Sequence, residues 1–278
     1  MKYVYFFVSL LLLSCGDPRK VIKIKGSDTE VNLAVNLAEH FNKVNSDFSV
    51  TISGGGSGLG IASLMNGQAD IANSSRPLTE EEKGLFVKRQ IDIKTVIFAE
   101  DATAFIVNKS CPVDTIEVAT LAKILSSESP NWKPLTGHQL PVTIYGRQSN
   151  SGTHSFVQKK LQINFSRNAK EMNGNAQILE AVKMDSSAIG YVGAGYIARG
   201  VDPKNSSIKI LRIAEKSGSK AVSPLDEQAI QNHHYFFQRP LYQFISAGSW
   251  NKVQSFIQFE LSTEGKRLIQ KEGYYIIQ

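Results

Sequence analysis

Val21-Ile22-Lys23-Ile24-Lys25-Gly26-Ser27-Asp28-Thr29 decides the fold. A strand-like run, Val21-Ile22-Lys23-Ile24, ends in four small or polar residues. From Val31 to Phe41 the apolar residues Val31, Ala34, Val35, Ala38 and Phe41 then recur at helical spacing. Asp28 or Thr29 is the expected cap of that helix. The same phrase returns twice. Phe48-Ser49-Val50-Thr51-Ile52 leads into Gly54-Gly55-Gly56-Ser57-Gly58 and a short helix from Leu59 to Met65, stopped by Asn66-Gly67. Ala69-Asp70-Ile71-Ala72 leads into Asn73-Ser74-Ser75-Arg76, with another helix starting at Thr79-Glu80-Glu81-Glu82. With a fourth strand at Thr95 to Ala99, this βαβαβ series predicts an α/β fold with a mostly parallel sheet covered by helices.

A second α/β unit begins near residue 103. It carries the strand Pro141-Val142-Thr143-Ile144-Tyr145, then Gly146-Arg147-Gln148-Ser149-Asn150-Ser151-Gly152-Thr153 and a helix through Phe156 and Leu161. Ala188 to Val192 and Ile208 to Ile213 read as further strands, residues 233–247 as an extended apolar segment, and Val253 to Phe259 as a last helix. The chain is expected to cross between two lobes near 101–104 and to return near 236–242. Lobe 1 is then 16–102 plus 240–278, and lobe 2 is 103–239.

Four loops at strand-to-helix junctions thus bring hydroxyls, backbone N–H groups and two guanidinium groups toward a cleft, the wiring of a site for a small oxyanion. Taken singly they are ordinary: a helix cap, a tight turn, a solvated turn. Only the Arg147 loop is suggestive alone, because a guanidinium precedes hydroxyl donors at a helix start. Nucleotide templates fail. The sixth position of a dinucleotide fingerprint falls on Leu59, Ile61 or Ser63, and no Gly-Lys-Ser/Thr is present. A nucleophile elbow starting at Gly55 fails because its last position is Leu59.

Composition narrows the classes further. The 278 residues, 42% hydrophobic and 20% charged, fit a globular body with a substantial core. Thirty-one basic against 25 acidic residues give +6, scattered without the clustered footprint of a nucleic-acid binder. Residues 1–15 read as a targeting segment: Lys2, the apolar run Val4 to Leu13, then Ser14 before Cys15. Leu12-Leu13-Ser14-Cys15-Gly16 resembles a bacterial lipobox, which implies export and a lipid anchor on Cys15. The alternative is an ordinary secretory leader. With Cys15 lipidated, Cys111 has no disulfide partner. The five histidines show no metal-ligand spacing, and neither a metal nor a cofactor is expected. No nucleophile has a base beside it, so an enzyme is not expected.

The chain resembles the PstS-type phosphate-binding proteins, the substrate-binding components of bacterial ABC phosphate importers. The likeness rests on Gly26-Ser27-Asp28-Thr29, Gly55-Gly56-Ser57-Gly58, Ala72-Asn73-Ser74-Ser75-Arg76-Pro77-Leu78 and Arg147…Ser151-Gly152-Thr153. It continues in Ala188-Ile189-Gly190-Tyr191-Val192, Tyr235…Arg239-Pro240-Leu241-Tyr242 and Ser262…Glu264-Gly265. The resemblance implies a type II periplasmic-binding-protein fold, two lobes joined by a two-strand hinge, one bound phosphate and delivery to membrane permease subunits by a monomer. Carried over residue by residue, it implies ligand contacts from Ser27, Thr29, Ser57, Ser75, Arg76, Arg147, Ser151, Gly152 and Thr153. Many members place Asp after the serine of the third loop, where it accepts the proton of hydrogen phosphate. Arg76 stands there instead and accepts nothing. Asp101 and Asp28 are the candidate substitutes; the other reading makes them a hinge salt-bridge partner and a cap. Two alternatives stay open: a binder of another tetrahedral oxyanion (sulfate, molybdate, tungstate), and a phosphate-sensing surface lipoprotein.

Overall fold

The computed structural model describes residues 20–200 and 207–277. The expected leader and its Cys15 lie outside them. Its strands are β1 (Lys20–Gly26), β2 (Phe48–Ser53), β3 (Ile71–Ser74), β4 (Ile93–Asn108), β5 (Thr115–Glu117), β6 (Thr143–Arg147), β7 (Lys170–Met172), β8 (Ala188–Gly193), β9 (Ile208–Ile210), β10 (Arg212–Ala214) and β11 (Gln238–Ser246). Its α-helices are α1 (Val31–Val44), α2 (Ser57–Met65), α3 (Glu80–Lys88), α4 (Val118–Ser126), α5 (Lys133–Thr136), α6 (Gly152–Leu161), α7 (Asn175–Met184), α8 (Ala194–Gly200), α9 (Glu227–Gln231), α10 (Trp250–Leu261) and α11 (Thr263–Lys271).

One sheet runs β2-β1-β3-β11-β4-β8-β6-β7, with β9 also on β4. β1 lies parallel to both β2 and β3, and β6 parallel to both β7 and β8. Between these two parallel groups, β11 and β4 pair antiparallel. The 16-residue β4 pairs with β11 over its first part and turns to β8 and β9 from Thr103 onward. The strand expected at Thr95 to Ala99 therefore continues through Thr103–Val107 as one crossing strand.

Each group has its own core. Ile22, Ile24, Leu33, Leu37, Phe41, Phe256 and Leu268 pack on one face of β1–β3, with Phe41 edge-on to Phe256 at 5.2 Å between ring centroids. Phe105, Trp132, Ile144, Ile178, Tyr191 and Phe237 form the other, where Phe105 meets Phe237 at 4.8 Å. Burial of these side chains is the main driving force for both halves.

Several local expectations needed correction. The cap of α1 is Glu30, not Asp28 or Thr29, and no side chain caps it. Asp28 and Thr29 instead bond across the cleft, as described below. Residues 233–247 are extended only from Gln238, because His233 turns the chain with a φ of 55°. Ile208–Ile213 splits into β9 on β4 and β10 on β5. Helix α11 follows α10 directly and escaped the sequence reading; the Ser262 hydroxyl accepts from Gly265 N at 3.2 Å and caps it.

Candidate functional site

The strand ends of both parallel groups meet at one place. β1 stops at Gly26, whose φ of 140° and proximity to Asn73 O, 2.1 Å from where a Cβ would be, admit only glycine. That turn lets Ser27 N donate to Asn73 O at 2.9 Å and aims the first loop into the cleft. Facing it, Arg147 is the last residue of β6 rather than a loop residue, and Ser151 caps α6, accepting from Thr153 N at 3.2 Å and His154 N at 3.5 Å.

The hydroxyls named from sequence converge. Thr29 Oγ1 lies 3.1 Å from Thr153 Oγ1, although 124 residues separate them. Ser57 Oγ lies 3.5 Å from Ser75 Oγ and accepts from Ser75 N at 3.1 Å. Gly152 presses against that pair: a Cβ there would sit 2.3 Å from Ser57 Oγ and 2.4 Å from Ser75 Oγ. Ser27, Thr29, Ser57, Ser75, Arg147, Ser151 and Thr153 are all at most 3% exposed. Backbone bonds close the same seam: Gly58 N donates to Asn150 O at 3.0 Å, and Asn150 Nδ2 to Gly55 O at 3.2 Å.

Arg147 is buried across from Asp28. Its Nη2 donates to Asp28 Oδ2 and, at 3.1 Å, to Asn173 O, while its backbone N donates to the Tyr191 hydroxyl at 3.1 Å. Nε is buried with no protein acceptor. Asp28 Oδ1 accepts from Gly55 N at 2.9 Å, so Asp28 ties the first loop, the glycine loop and Arg147 together. This use of both carboxylate oxygens explains why Asp28 does not cap α1.

Sequence reasoning missed Arg239 as a site residue. It stands directly opposite Asp101 in the β11–β4 ladder. Its Nε and Nη2 donate to Asp101 Oδ2 at 3.1 and 2.7 Å. The same Nη2 donates to Thr29 Oγ1 and Thr153 Oγ1, each at 3.2 Å. Both threonine oxygens therefore act as acceptors toward Arg239; one of their hydrogens is donated across the 3.1 Å contact between them, which leaves the other to turn into the cleft. Burial raises the pKa of Asp101, and the Arg239 charge opposes that rise. The signal available in the sequence was an arginine inside an apolar extended run, at the position where the chain was expected to recross.

Arg76 is directed elsewhere. Its guanidinium makes a two-pronged pair with Glu82, both contacts at 2.7 Å, and Nη1 donates to Pro77 O at 2.9 Å. Glu82 completes a capping box with Thr79 at the start of α3. Arg76 is thus engaged in positioning α3, not in the hydroxyl cluster. Arg76→Ala is expected to change anion affinity less than about threefold, under ~0.7 kcal/mol. Calorimetric titration checks this, and a tenfold loss would put the guanidinium on the ligand.

Chemically, the cluster offers donors: hydroxyls, the Arg147 Nε and the Arg239 Nη1, the last two buried without protein acceptors. Such a set fits a compact, dehydrated anion. His154, next to Thr153, packs its ring on Phe165 at 4.7 Å, and burial lowers its pKa. Among the described residues no group of three His, Cys, Asp or Glu side chains is arranged to hold a metal ion.

Comparison with known proteins agrees with this architecture. A family model described as a PBP superfamily domain matches residues 15–264. The phosphate-binding protein PstS of Borreliella burgdorferi is 28% identical over 283 residues, covering 98% of this chain and 96% of that protein. Protein SphX of Synechococcus elongatus is 29% identical over 89% of this chain and 75% of its own length. A crystal structure of a phosphate ABC transporter substrate-binding protein from Clostridium perfringens, with bound phosphate, superimposes with a TM-score of 0.81 at 27% identity, covering 93% of this chain and all of that one. With the two parallel strand groups joined through β4 and β11, and a family match that spans nearly the whole chain, this protein belongs to the PBP superfamily, and the PstS-type phosphate-binding proteins are the relatives it is similar to.

Proposed function

We propose that this chain is an extracytoplasmic, lipid-anchored binding protein for inorganic phosphate that delivers its ligand to an ABC-type import permease. The observation that carries the reading is the buried seam where Thr29 and Thr153, and Ser57, Ser75 and Gly152, come together from distant parts of the sequence. Lobe 1 (16–102 plus 240–278) supplies Ser27, Thr29, Ser57 and Ser75. Lobe 2 (103–239) supplies Arg147, Ser151, the Gly152 N–H and Thr153. β4 and β11 act as the hinge on which the lobes part to admit phosphate and close to enclose it. Nothing is made or broken: binding, enclosure and release are the whole chemistry.

The energetics suit this role. A micromolar dissociation constant corresponds to about 8 kcal/mol. Six to eight charge-assisted hydrogen bonds, at roughly 1.5–3 kcal/mol each, exceed that before desolvation is subtracted. Cys15 would carry the lipid. Among the described residues no helix is long and apolar enough to cross a membrane. Detergent phase partitioning of the cell-derived protein, with and without Cys15→Ala, tests the anchor; equal partitioning of the two would remove it.

Titration calorimetry with phosphate is the deciding experiment for the ligand. One phosphate per chain with a micromolar or tighter constant is expected, and sulfate, molybdate and tungstate should bind more weakly. Absence of phosphate heat together with binding of another tetrahedral oxyanion would reassign the cargo.

A further inference from the structure

Asn150 precedes Ser151 in the second-lobe loop, yet it is exposed where its neighbours in the seam are buried. Its hydrogen bonds run to the glycine loop of the opposite lobe. Nδ2 donates to Gly55 O at 3.2 Å, and its backbone carbonyl accepts from Gly58 N at 3.0 Å. Both partners are fastened to their own lobes. Gly55 N donates to Asp28 Oδ1 and Gly56 N to Gly26 O, each at 2.9 Å, so the glycine loop moves with the end of β1. On the other side Ser151 N donates to Gln148 O at 2.9 Å, and the Ser151 hydroxyl caps α6, so Asn150 moves with β6 and α6. The two bonds from Asn150 must therefore break when the lobes part.

The glycines opposite Asn150 fit this contact. A Cβ on Gly56 would lie 3.1 Å from Asn150 O, and one on Gly58 would lie 3.2 Å from the same oxygen and 3.5 Å from Asn150 Cβ. Gly58 stands in the first turn of α2 without a positive φ, where glycine is a poor helix former. The atoms nearest to the space it leaves all belong to Asn150. Close approach of the second lobe, not the needs of its own helix, accounts for a glycine there. The contact is also uncharged, made by one amide side chain and backbone groups, and it uses neither of the guanidinium donors, Arg147 Nε and Arg239 Nη1, that lack a protein acceptor.

Resting on the reading of this chain as a two-lobed phosphate binder hinged at β4 and β11, we propose that Asn150 is the latch of the closed form. It is a positioning residue that holds the glycine loop against the start of α6 and so sets how long the anion is retained. Phosphate enters an open cleft in which Asn150 and the glycine loop are apart, so the latch does not act on association. Release requires both bonds to break, so it acts on dissociation. Because neither bond is made to the anion, the latch slows release of each tetrahedral oxyanion by the same factor. It contributes affinity without selectivity.

Stopped-flow kinetics and calorimetry with phosphate and arsenate as probes test the latch. Asn150→Ala is expected to speed release between about two- and tenfold and to raise the dissociation constant by the same factor. The association rate should stay within about twofold, and the ratio of phosphate to arsenate affinity within about threefold. Gly58→Val fills the contact from the other lobe and is no worse than glycine in a helix; it should speed release likewise while the ligand-free protein keeps its thermal midpoint within about 2 °C. Release in Asn150→Ala less than about twofold faster than in the wild type overturns the proposal. So does an affinity loss carried by the association rate, or one that differs more than about threefold between the two anions, since either places Asn150 on the ligand. Faster release in Asn150→Ala but not in Gly58→Val assigns the effect to the 148–151 turn and overturns it equally. Failure of the wild type to bind either anion would remove the binding reading itself, a result distinct from bound anion released at the wild-type rate.

Discussion

Arg239→Ala is expected to destabilise the protein by about 3–5 kcal/mol, the usual consequence of leaving a buried charge without its partner. Asp101 is 0% exposed and Arg239 2% exposed, and two guanidinium nitrogens hold one carboxylate oxygen. Removing the arginine also leaves Thr29 Oγ1 and Thr153 Oγ1 without their shared donor. For a chain of this size the midpoint of thermal unfolding should fall on the order of 10 °C. The pH dependence gives a second reading. Burial already raises the Asp101 pKa in the folded state, and loss of the Arg239 charge raises it further. A raised folded value means that the protonated form folds more readily, so the deficit is full above the folded pKa. Its electrostatic part shrinks as pH falls through that value and is gone below the ordinary Asp value near 3.9, which leaves the cost of the lost bonds to the two threonines. Arg239→Lys should recover part of the loss, since an ammonium restores the charge but not the fork that also reaches both threonines. Urea denaturation at neutral and acidic pH checks the series; a deficit below about 1 kcal/mol at neutral pH would mean that the pair is hydrated in solution.

What the sequence disclosed and what it hid have separate physical causes. The strand–loop–helix phrase was legible because period-2 and period-3.6 patterns are local, and because a strand that ends in Gly-Ser-Asp-Thr or Gly-Gly-Ser can do little except turn. The meeting of Thr29 with Thr153, and of Ser57 with Ser75 and Gly152, followed from that phrase, since equivalent strand ends in a parallel sheet face one edge. Arg239 was hidden because its meaning is a register: only the pairing of β11 with β4 sets it opposite Asp101, 138 residues away. Arg76 and Asp28 show the limit of residue type. Both side chains stand in anion loops, yet one turns to Glu82 and the other to Arg147. Glu30 was unreadable because an acidic residue at a helix start looks like ordinary dipole complementarity; only burial separates it from that role.

Arg147→Ala is expected to weaken phosphate binding by about 3 kcal/mol or more, a loss above a hundredfold. The side chain is 1% exposed and carries a buried Nε with no protein acceptor, the kind of donor an enclosed anion satisfies. Its loss has a second part. Asp28 would lose the cation that compensates it and would stand near the ligand as an uncompensated carboxylate. Repulsion between that carboxylate and phosphate then adds to the missing attraction. The two parts separate in a double-mutant cycle, because Asp28→Asn removes the repulsion while keeping an acceptor for Gly55 N. The double variant Asp28→Asn/Arg147→Ala should bind phosphate about tenfold more tightly than Arg147→Ala alone, a coupling of ~1.4 kcal/mol. Calorimetric affinities of the four proteins supply the cycle. Less than threefold loss in Arg147→Ala would take Arg147 out of the site. A full loss with no recovery in the double variant would instead keep Arg147 on the ligand and restrict Asp28 to holding the first and second loops in register.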